Sequence, residues 1–225
     1  AESVEKNKIP KAISIILLGG IVSAFLGPGI ANYTRDIFSE HLYVGSYLSL
    51  GILTIIPVVF FLFYENTSKI EASTKYSGRS RLELISQPRF LQALVASAFG
   101  YAIMTFLMTA TPLSMHVMEK MSISKTGMVI QFHVVAMFLP SLVTGILIKK
   151  FGHSNMMYVG VFLYSITILV SFFDQTFYNY MFALIFLGLG WNFLFISGTS
   201  LLVLTYREEE KFRAQGLNDF IVYSV

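Results

Sequence analysis

The sequence of 225 residues lacks cysteine and is poor in charge. Without cysteine, a disulfide framework and a thiolate metal site are both excluded. Asp, Glu, Lys and Arg make up only 13% of the residues, about half their share in a typical soluble domain. Hydrophobic residues make up 55%, and the mean hydropathy is +0.66. This composition excludes a water-soluble surface, and the polar start "AESVEKNKIP" lacks the apolar segment of a signal peptide.

Charged residues are also absent from six long stretches of the chain. These stretches cover 12–34, 42–64, 90–118, 126–148, 151–173 and 175–206. A helix that crosses a bilayer needs about 20 mostly apolar residues, so each stretch is long enough to span. A membrane β-barrel would instead show short alternating segments, which the sequence does not have. We therefore predict an all-α polytopic membrane protein with six complete transmembrane helices and the start of a seventh near Ala214.

The sequence also lacks the motifs of catalysis. It contains no HExxH zinc motif, no Gly-x-Ser-x-Gly and no phosphate-binding loop. None of the six apolar stretches contains Asp or Glu, and the four histidines are scattered at positions 41, 116, 133 and 153. We predict that the protein is not an enzyme and uses neither a metal ion nor a cofactor.

The basic residues alternate between the two ends of the predicted helices. Segments 1–11, 65–89, 149–150 and 207–213 hold 13 of the 16 Lys and Arg. Cytoplasmic loops of membrane proteins carry such an excess, so these four segments are predicted to be cytoplasmic. The net charge of +3 then reflects contact with the lipid bilayer, and nucleic-acid binding is not expected.

The longest connection, 65–89, is predicted to be a cytoplasmic central loop between two helical bundles. Its Ser- and Lys-rich centre is followed by "RLELISQPRF", a candidate short helix at the membrane surface. We assign 1–64 to the last two helices of an N-terminal bundle, and 90–225 to a truncated C-terminal bundle.

Two short motifs carry a resemblance to a known family. "GILIKKFGH" (Gly145–His153) resembles the cytoplasmic loop motif of the major facilitator superfamily, Gly-x-Leu-x-Asp-Arg-x-Gly-Arg. Gly145, Lys150 and Gly152 fit that motif, whereas Lys149 stands at its acidic position. "SAFLGPGIAN" is similar to the glycine-proline motif in helix 5 of the proton-coupled antiporters of the superfamily, through Gly27 and Pro28. The chain is identified as a member of an uncharacterised bacterial branch.

The resemblance implies a full protein of twelve helices, of which this chain carries helices 5 to 10 and the start of helix 11. It implies a secondary active transporter that moves a small molecule by alternating access. It further implies proton coupling, efflux of a drug or metabolite by antiport, and residence in the bacterial inner membrane. Function would then require the remaining helices of the same protein. The alternative is a membrane receptor or sensor that binds a small ligand without transporting it.

Facilitators bind their substrate near the middle of the membrane, between the two bundles. Tyr101 and Thr105 lie at the centre of a polar stripe with Ser97 and Thr109, so they are candidates to line the pathway. The alternative role for this stripe is hydrogen bonding between helices. Trp191 and Asn192 sit at mid-depth, where a Trp is unusual, and indicate a pocket. The alternative for them is a buried packing pair.

Two ionisable residues complete the predicted pathway. His133 falls inside the fourth stretch, in its outer half, and ionisable residues within spans are functional candidates by default. We expect it to line the outward-opening cavity, with proton carriage as a second role and a hydrogen bond to a neighbouring helix as the alternative. Asp219 enters the seventh helix from the cytoplasmic side, as a proton site or an anchor.

Overall fold

The computed structural model describes the backbone of residues 9–63 and 78–225, and the side chains of the first helix from residue 19 onward. The chain divides into two compact units, Ala1–Ala72 and Ser73–Val225. Every regular element in the described residues is helical. This confirms the predicted all-α fold.

The first unit is a helical hairpin. Helix α1 spans Ile9–Thr34 and contains Pro28, and α2 spans Val44–Leu62 and contains Pro57. The two helices meet at Gly45, where a Cβ atom would lie 1.9 Å from the carbonyl oxygen of Thr34. Only a glycine allows the two helices to come this close. The hydroxyl of Ser46 also joins the two helices, by donating a hydrogen bond to the carbonyl oxygen of Ala31 at 2.7 Å.

The second unit begins with a capped turn of helix. Ser80 accepts a hydrogen bond from the N–H of Glu83, whose carboxylate accepts in return from the N–H of Ser80, a capping box that starts α3 at Arg81–Ile85. Helix α4, Pro88–Leu113, starts at a proline, which suits the first helical turn. A π-helical turn, Ser114–Met118, extends it. The predicted loop 65–89 is thus helical from Pro88 and over Arg81–Ile85, and its residues 65–77 lie outside the described part.

Five further helices complete the second unit. They are α5 (Ile123–Phe138), α6 (Ser141–Phe151), α7 (His153–Ser171), α8 (Phe177–Val203) and α9 (Lys211–Val222). Helices α5 and α6 are together long and apolar enough for one span, and the pair is bent by 41° at Pro140. By length and composition, α2, the α4 region Pro88–Met118, α7, α8 and this bent pair can each cross a membrane. The six apolar stretches of the sequence overlap α1, α2, α4, the α5–α6 pair, α7 and α8.

Helix α8 lies at the centre of the second unit and packs against α4, α5 and α7. Three glycines of α8 make these contacts close. Gly198 faces Ser97 on α4, Gly188 faces the His133 backbone on α5, and Gly190 faces Tyr164 on α7. A Cβ atom at any of them would come within 2.6 Å of a neighbouring atom. Such close backbone approach between small residues is typical of helix pairs in membranes.

Candidate functional site

The predicted neighbours Trp191 and Asn192 fall on different sides of α8. Successive residues of a helix point about 100° apart. Gly198 marks the side of α8 toward α4, and Gly188 marks the side toward α5. At this angular spacing Trp191 falls between the two sides, and Asn192 falls on the α5 side. The neighbours therefore have different surroundings.

The side-chain amide of Asn192 holds the bend between α5 and α6. Its Nδ2 donates to the carbonyl oxygen of Met137 at 2.6 Å and to the hydroxyl of Ser141 at 2.5 Å. Its Oδ1 accepts from the hydroxyl of Thr144 at 2.6 Å. Asn192 is fully buried, so its polar atoms are committed to these two helices. In this conformation Asn192 positions the bend of α5–α6.

Trp191 belongs to an aromatic cluster, which we define as Phe138, Trp191 and Phe195. The rings of Trp191 and Phe195 are stacked, with centroids 4.8 Å apart and planes inclined by 12°. Phe138, the last residue of α5, approaches the indole edge-on at 6.1 Å. Trp191 is buried, whereas Phe138 and Phe195 are half-buried. The spacing of Trp191 and Phe195, four residues apart, was the sequence signal for this stack.

The polar stripe of α4 changes from buried to exposed along its length. Ser97 is fully buried against Gly198 of α8, Tyr101 is half-buried, and Thr105 and Thr109 are exposed. The ring of Tyr101 meets Tyr223, just after α9, edge-on at 5.1 Å. The hydroxyl of Thr109 bonds back to the carbonyl of Thr105. Tyr101, Thr105 and Thr109 are thus the members of the stripe that keep exposed surface.

His133 is completely buried between α5 and α8. Its Nδ1 lies 2.7 Å from the carbonyl oxygen of Leu184, the neighbouring-helix bond that the sequence left as the alternative. Its Nε2 is buried without a hydrogen-bond partner among the described residues. A role in the substrate or proton pathway stays a prediction.

The two family motifs occupy helix ends and open faces. In the loop motif, Gly152 has φ of +84°, a conformation that favours glycine, and it separates α6 from α7. Lys149 and Lys150 are exposed just before it, and nothing lies close to Gly145. On α1, Gly27 is exposed and also has open space around it, while Pro28 lies inside the helix.

The acidic residues near α9 differ in their surroundings. Asp219 is exposed and accepts a hydrogen bond from Asn218. Glu210, which the sequence analysis did not single out, is fully buried. Arg79 donates two hydrogen bonds to its carboxylate, from Nε at 2.8 Å and from Nη2 at 2.6 Å. This ion pair holds the pKa of Glu210 well below its usual range.

No group of three or more metal-ligating residues occurs in the described part of the chain.

Together, the spans, the glycine-packed central helix and the buried polar sites define an integral membrane protein of the polytopic helical class. The profile of the Major Facilitator Superfamily matches residues 1–225. The chain belongs to this superfamily, which confirms the resemblance seen in the sequence.

Several curated bacterial proteins are similar to this chain. A riboflavin transporter, RfnT, of Brucella anthropi is 37% identical over 95% of this chain and 54% of its own length. An uncharacterized MFS-type transporter, YddS, of Bacillus subtilis is 27% identical over 94% of this chain and 52% of its own length. The chain thus spans about half the length of the curated relatives it matches. No solved structure matches it.

Proposed function

We propose that the full protein is a secondary transporter of riboflavin, or of a molecule with a similarly flat heteroaromatic ring. The observation that carries this proposal is the aromatic cluster, in which Trp191 and Phe195 lie near the middle of α8 and Phe138 lies at the end of α5. A stacked Trp and Phe provide a surface that suits a flat ring. The likeness to a riboflavin transporter supports the same substrate class.

We further propose alternating access as the mechanism. Residues 1–64 would supply the last two helices of the N-terminal bundle, 65–89 the cytoplasmic loop, and 90–225 part of the C-terminal bundle. The two bundles would rock about a midplane site, as in other transporters with internal repeats. The organisms of the relatives favour a bacterial inner membrane.

Protons are the driving ion in this proposal. The glycine-proline motif of α1 favours antiport, and the buried His133 has a ring nitrogen with no hydrogen-bond partner in the part of the chain that the structure describes. Histidine is the side chain whose charge changes most readily near neutral pH. No Asp or Glu lies within the six apolar stretches, so His133 is the strongest candidate in this chain to carry the proton.

The experiment is riboflavin flux in liposomes that contain the purified full-length protein. We expect saturable flux that responds to a pH gradient, measured by riboflavin fluorescence with the gradient imposed in each direction. Residues 1–225 alone, reconstituted in the same way, should show no saturable flux, because the access pathway also needs the other helices. Saturable binding without flux would instead show a receptor, and the absence of binding would show that riboflavin is not the ligand.

A further inference from the structure

The aromatic cluster of Phe138, Trp191 and Phe195 keeps some exposed surface through its two phenylalanines. Trp191 and Phe195 lie on α8 between the side that contacts α4 and the side that contacts α5. Helix α7 packs on a different side of α8, through Gly190. Because Phe195 and Phe138 are only half-buried, the cluster is not sealed within the unit.

The indole of Trp191 carries a hydrogen-bond donor that has no acceptor. Trp191 is only 8% exposed, and its Nε1 is buried with no partner among the described residues. Leaving a buried donor unpaired costs about 1–3 kcal/mol, so such groups call for an explanation. The hydroxyls of Ser97 and Ser197 are also unpaired, but a hydroxyl can rotate toward a carbonyl of its own helix. The indole N–H is fixed in the plane of its ring and can only donate.

The neighbouring polar groups are already paired, which isolates this donor further. Asn192 uses its amide on Met137, Ser141 and Thr144. On the opposite side of α8, the hydroxyl of Tyr164 donates to the carbonyl of Gly100 at 2.7 Å. None of these groups offers an acceptor to the indole. An acceptor for it would come from outside the described residues, and a bound molecule can supply one.

We infer that the cluster is the subsite for the ring of the substrate, and that the ring is a flat heteroaromatic system with a hydrogen-bond acceptor at its edge. The ring packs against Phe195 and Trp191, and its acceptor receives the indole N–H. Stacking of an aromatic base on an aromatic side chain is worth about 1–3 kcal/mol in other proteins. The tricyclic ring of riboflavin, with its carbonyl oxygens and ring nitrogens, meets both requirements. The inference rests on the proposed function and adds the residues that select the ring.

The test is riboflavin binding to the purified full-length protein, followed by fluorescence. Stacking on the electron-rich indole of a Trp quenches flavin emission, so binding and stacking are read together. Trp191→Phe keeps a flat ring but removes both the donor and the quenching indole, so its affinity is measured by equilibrium dialysis and should be about five- to tenfold weaker. Trp191→Leu should weaken binding at least about tenfold and remove most of the quenching. Phe99→Leu on α4, whose ring is 64% exposed on the side of α4 away from Tyr101 and Thr105, is the matched control and should bind as the wild type does.

The same titration separates this inference from the proposed function. Lumichrome, which has the tricyclic ring without the ribityl chain, should displace riboflavin, whereas ribitol should not. If the wild-type protein neither binds nor transports riboflavin, the proposed substrate is wrong. If the wild type binds but well-folded Trp191→Leu binds and quenches equally well, the function stands and the ring subsite lies elsewhere. Should Trp191→Leu elute as aggregate in gel filtration, Trp191→Phe decides, and its unchanged affinity would overturn the role of the donor.

Discussion

His133 shows how one residue can be predicted to matter before its surroundings are known. A carbonyl oxygen can only accept, so the bond to Leu184 requires a hydrogen on Nδ1 of the neutral ring. Nε2 then carries a lone pair, and it is buried with no partner among the described residues. The ring can therefore accept a hydrogen bond or a proton at Nε2 without losing its bond to α8.

Replacement of His133 separates these roles. In the full-length protein, His133→Gln keeps a donor for Leu184 but cannot titrate, so we expect a folded transporter whose flux no longer responds to pH. His133→Leu also leaves the carbonyl of Leu184 unpaired, and its flux should fall at least tenfold. Both are measured as riboflavin flux in liposomes between pH 5.5 and 8. Normal, pH-dependent flux by His133→Leu would show that His133 only packs.

At the scale of the element, the bend between α5 and α6 depends on two residues, Pro140 and Asn192. Pro140 interrupts the helix, because proline has no N–H to donate. Asn192 was expected to face a pocket. The structure places the amide of Asn192 on the carbonyl of Met137 and the hydroxyl of Ser141, one on each side of the break. A buried amide on α8 therefore supplies hydrogen bonds at the place where the helix interrupts its own.

Removal of this amide should loosen the bend. Asn192→Ala loses three hydrogen bonds, each worth about 0.6 kcal/mol in membrane proteins, so we expect a loss of about 2 kcal/mol in stability. The measurement is the thermal unfolding midpoint of the full-length protein in detergent. Asn155→Ala is the control, since Asn155 is exposed and bonds only to Phe151 of its preceding turn. Equal midpoints for the two variants would contradict a role for Asn192 in holding the bend.

The sequence predicted the helices well and their partners poorly. Uncharged stretches of at least 23 residues locate spans because a charge inside a bilayer is costly, and this cost acts on each stretch by itself. The pairing of helices depends instead on where small and polar residues meet across the chain. Gly198 meets Ser97, and Thr144 meets Asn192, at separations that no local pattern reveals. For the same reason the sequence located Trp191 but not Phe138.

On the scale of the whole molecule, the second unit ties its first residues to its last helix through one ion pair. Glu210, just before α9, accepts from the backbone N–H and the guanidinium of Arg79, and from the N–H of Arg207. Arg213 of α9 donates to the carbonyl of Arg79. The carboxylate of Glu210 is fully buried and forms an ion pair with Arg79 at 2.6 Å. Arg79, just before α3, is thereby fixed to the turn that follows α8.

Breaking this ion pair should destabilise the protein by about 3 kcal/mol, the cost of removing one partner of a buried pair. Glu210→Gln tests it, with the exposed Glu209→Gln as control. The pKa of Glu210 is lower in the folded state than its ordinary value of 4.5. Its stabilisation is therefore fully present above pH 4.5 and is lost as the pH falls through the folded-state pKa. The difference in unfolding midpoint between wild type and Glu210→Gln should thus be constant from pH 7 to pH 5. A control variant that loses as much stability would show a general surface-charge effect.

The orientation of the whole chain follows from the distribution of its basic residues. Segments 1–11, 65–89, 149–150 and 207–213 alternate along the chain with segments that hold only three Lys and Arg. Positive charge near the ends of spans favours the cytoplasmic side, and short loops follow this rule most strictly. Exposed Ser86 should therefore face the cytoplasm, and exposed Ser124, at the start of α5, should face outward.

Because this chain has no cysteine, single cysteines can report that orientation directly once any cysteines outside it are replaced in the full-length protein. An impermeant maleimide added to intact cells should label Ser124→Cys and leave Ser86→Cys unlabelled. After the membrane is permeabilised, both should react, which shows that Ser86→Cys is accessible from its own side. Only α4 and its π-helical turn lie between Ser86 and Ser124, so a single crossing of the membrane separates the two residues. Labelling of Ser86→Cys in intact cells would reverse the assigned orientation, and labelling of both would show that Pro88–Met118 does not cross the membrane.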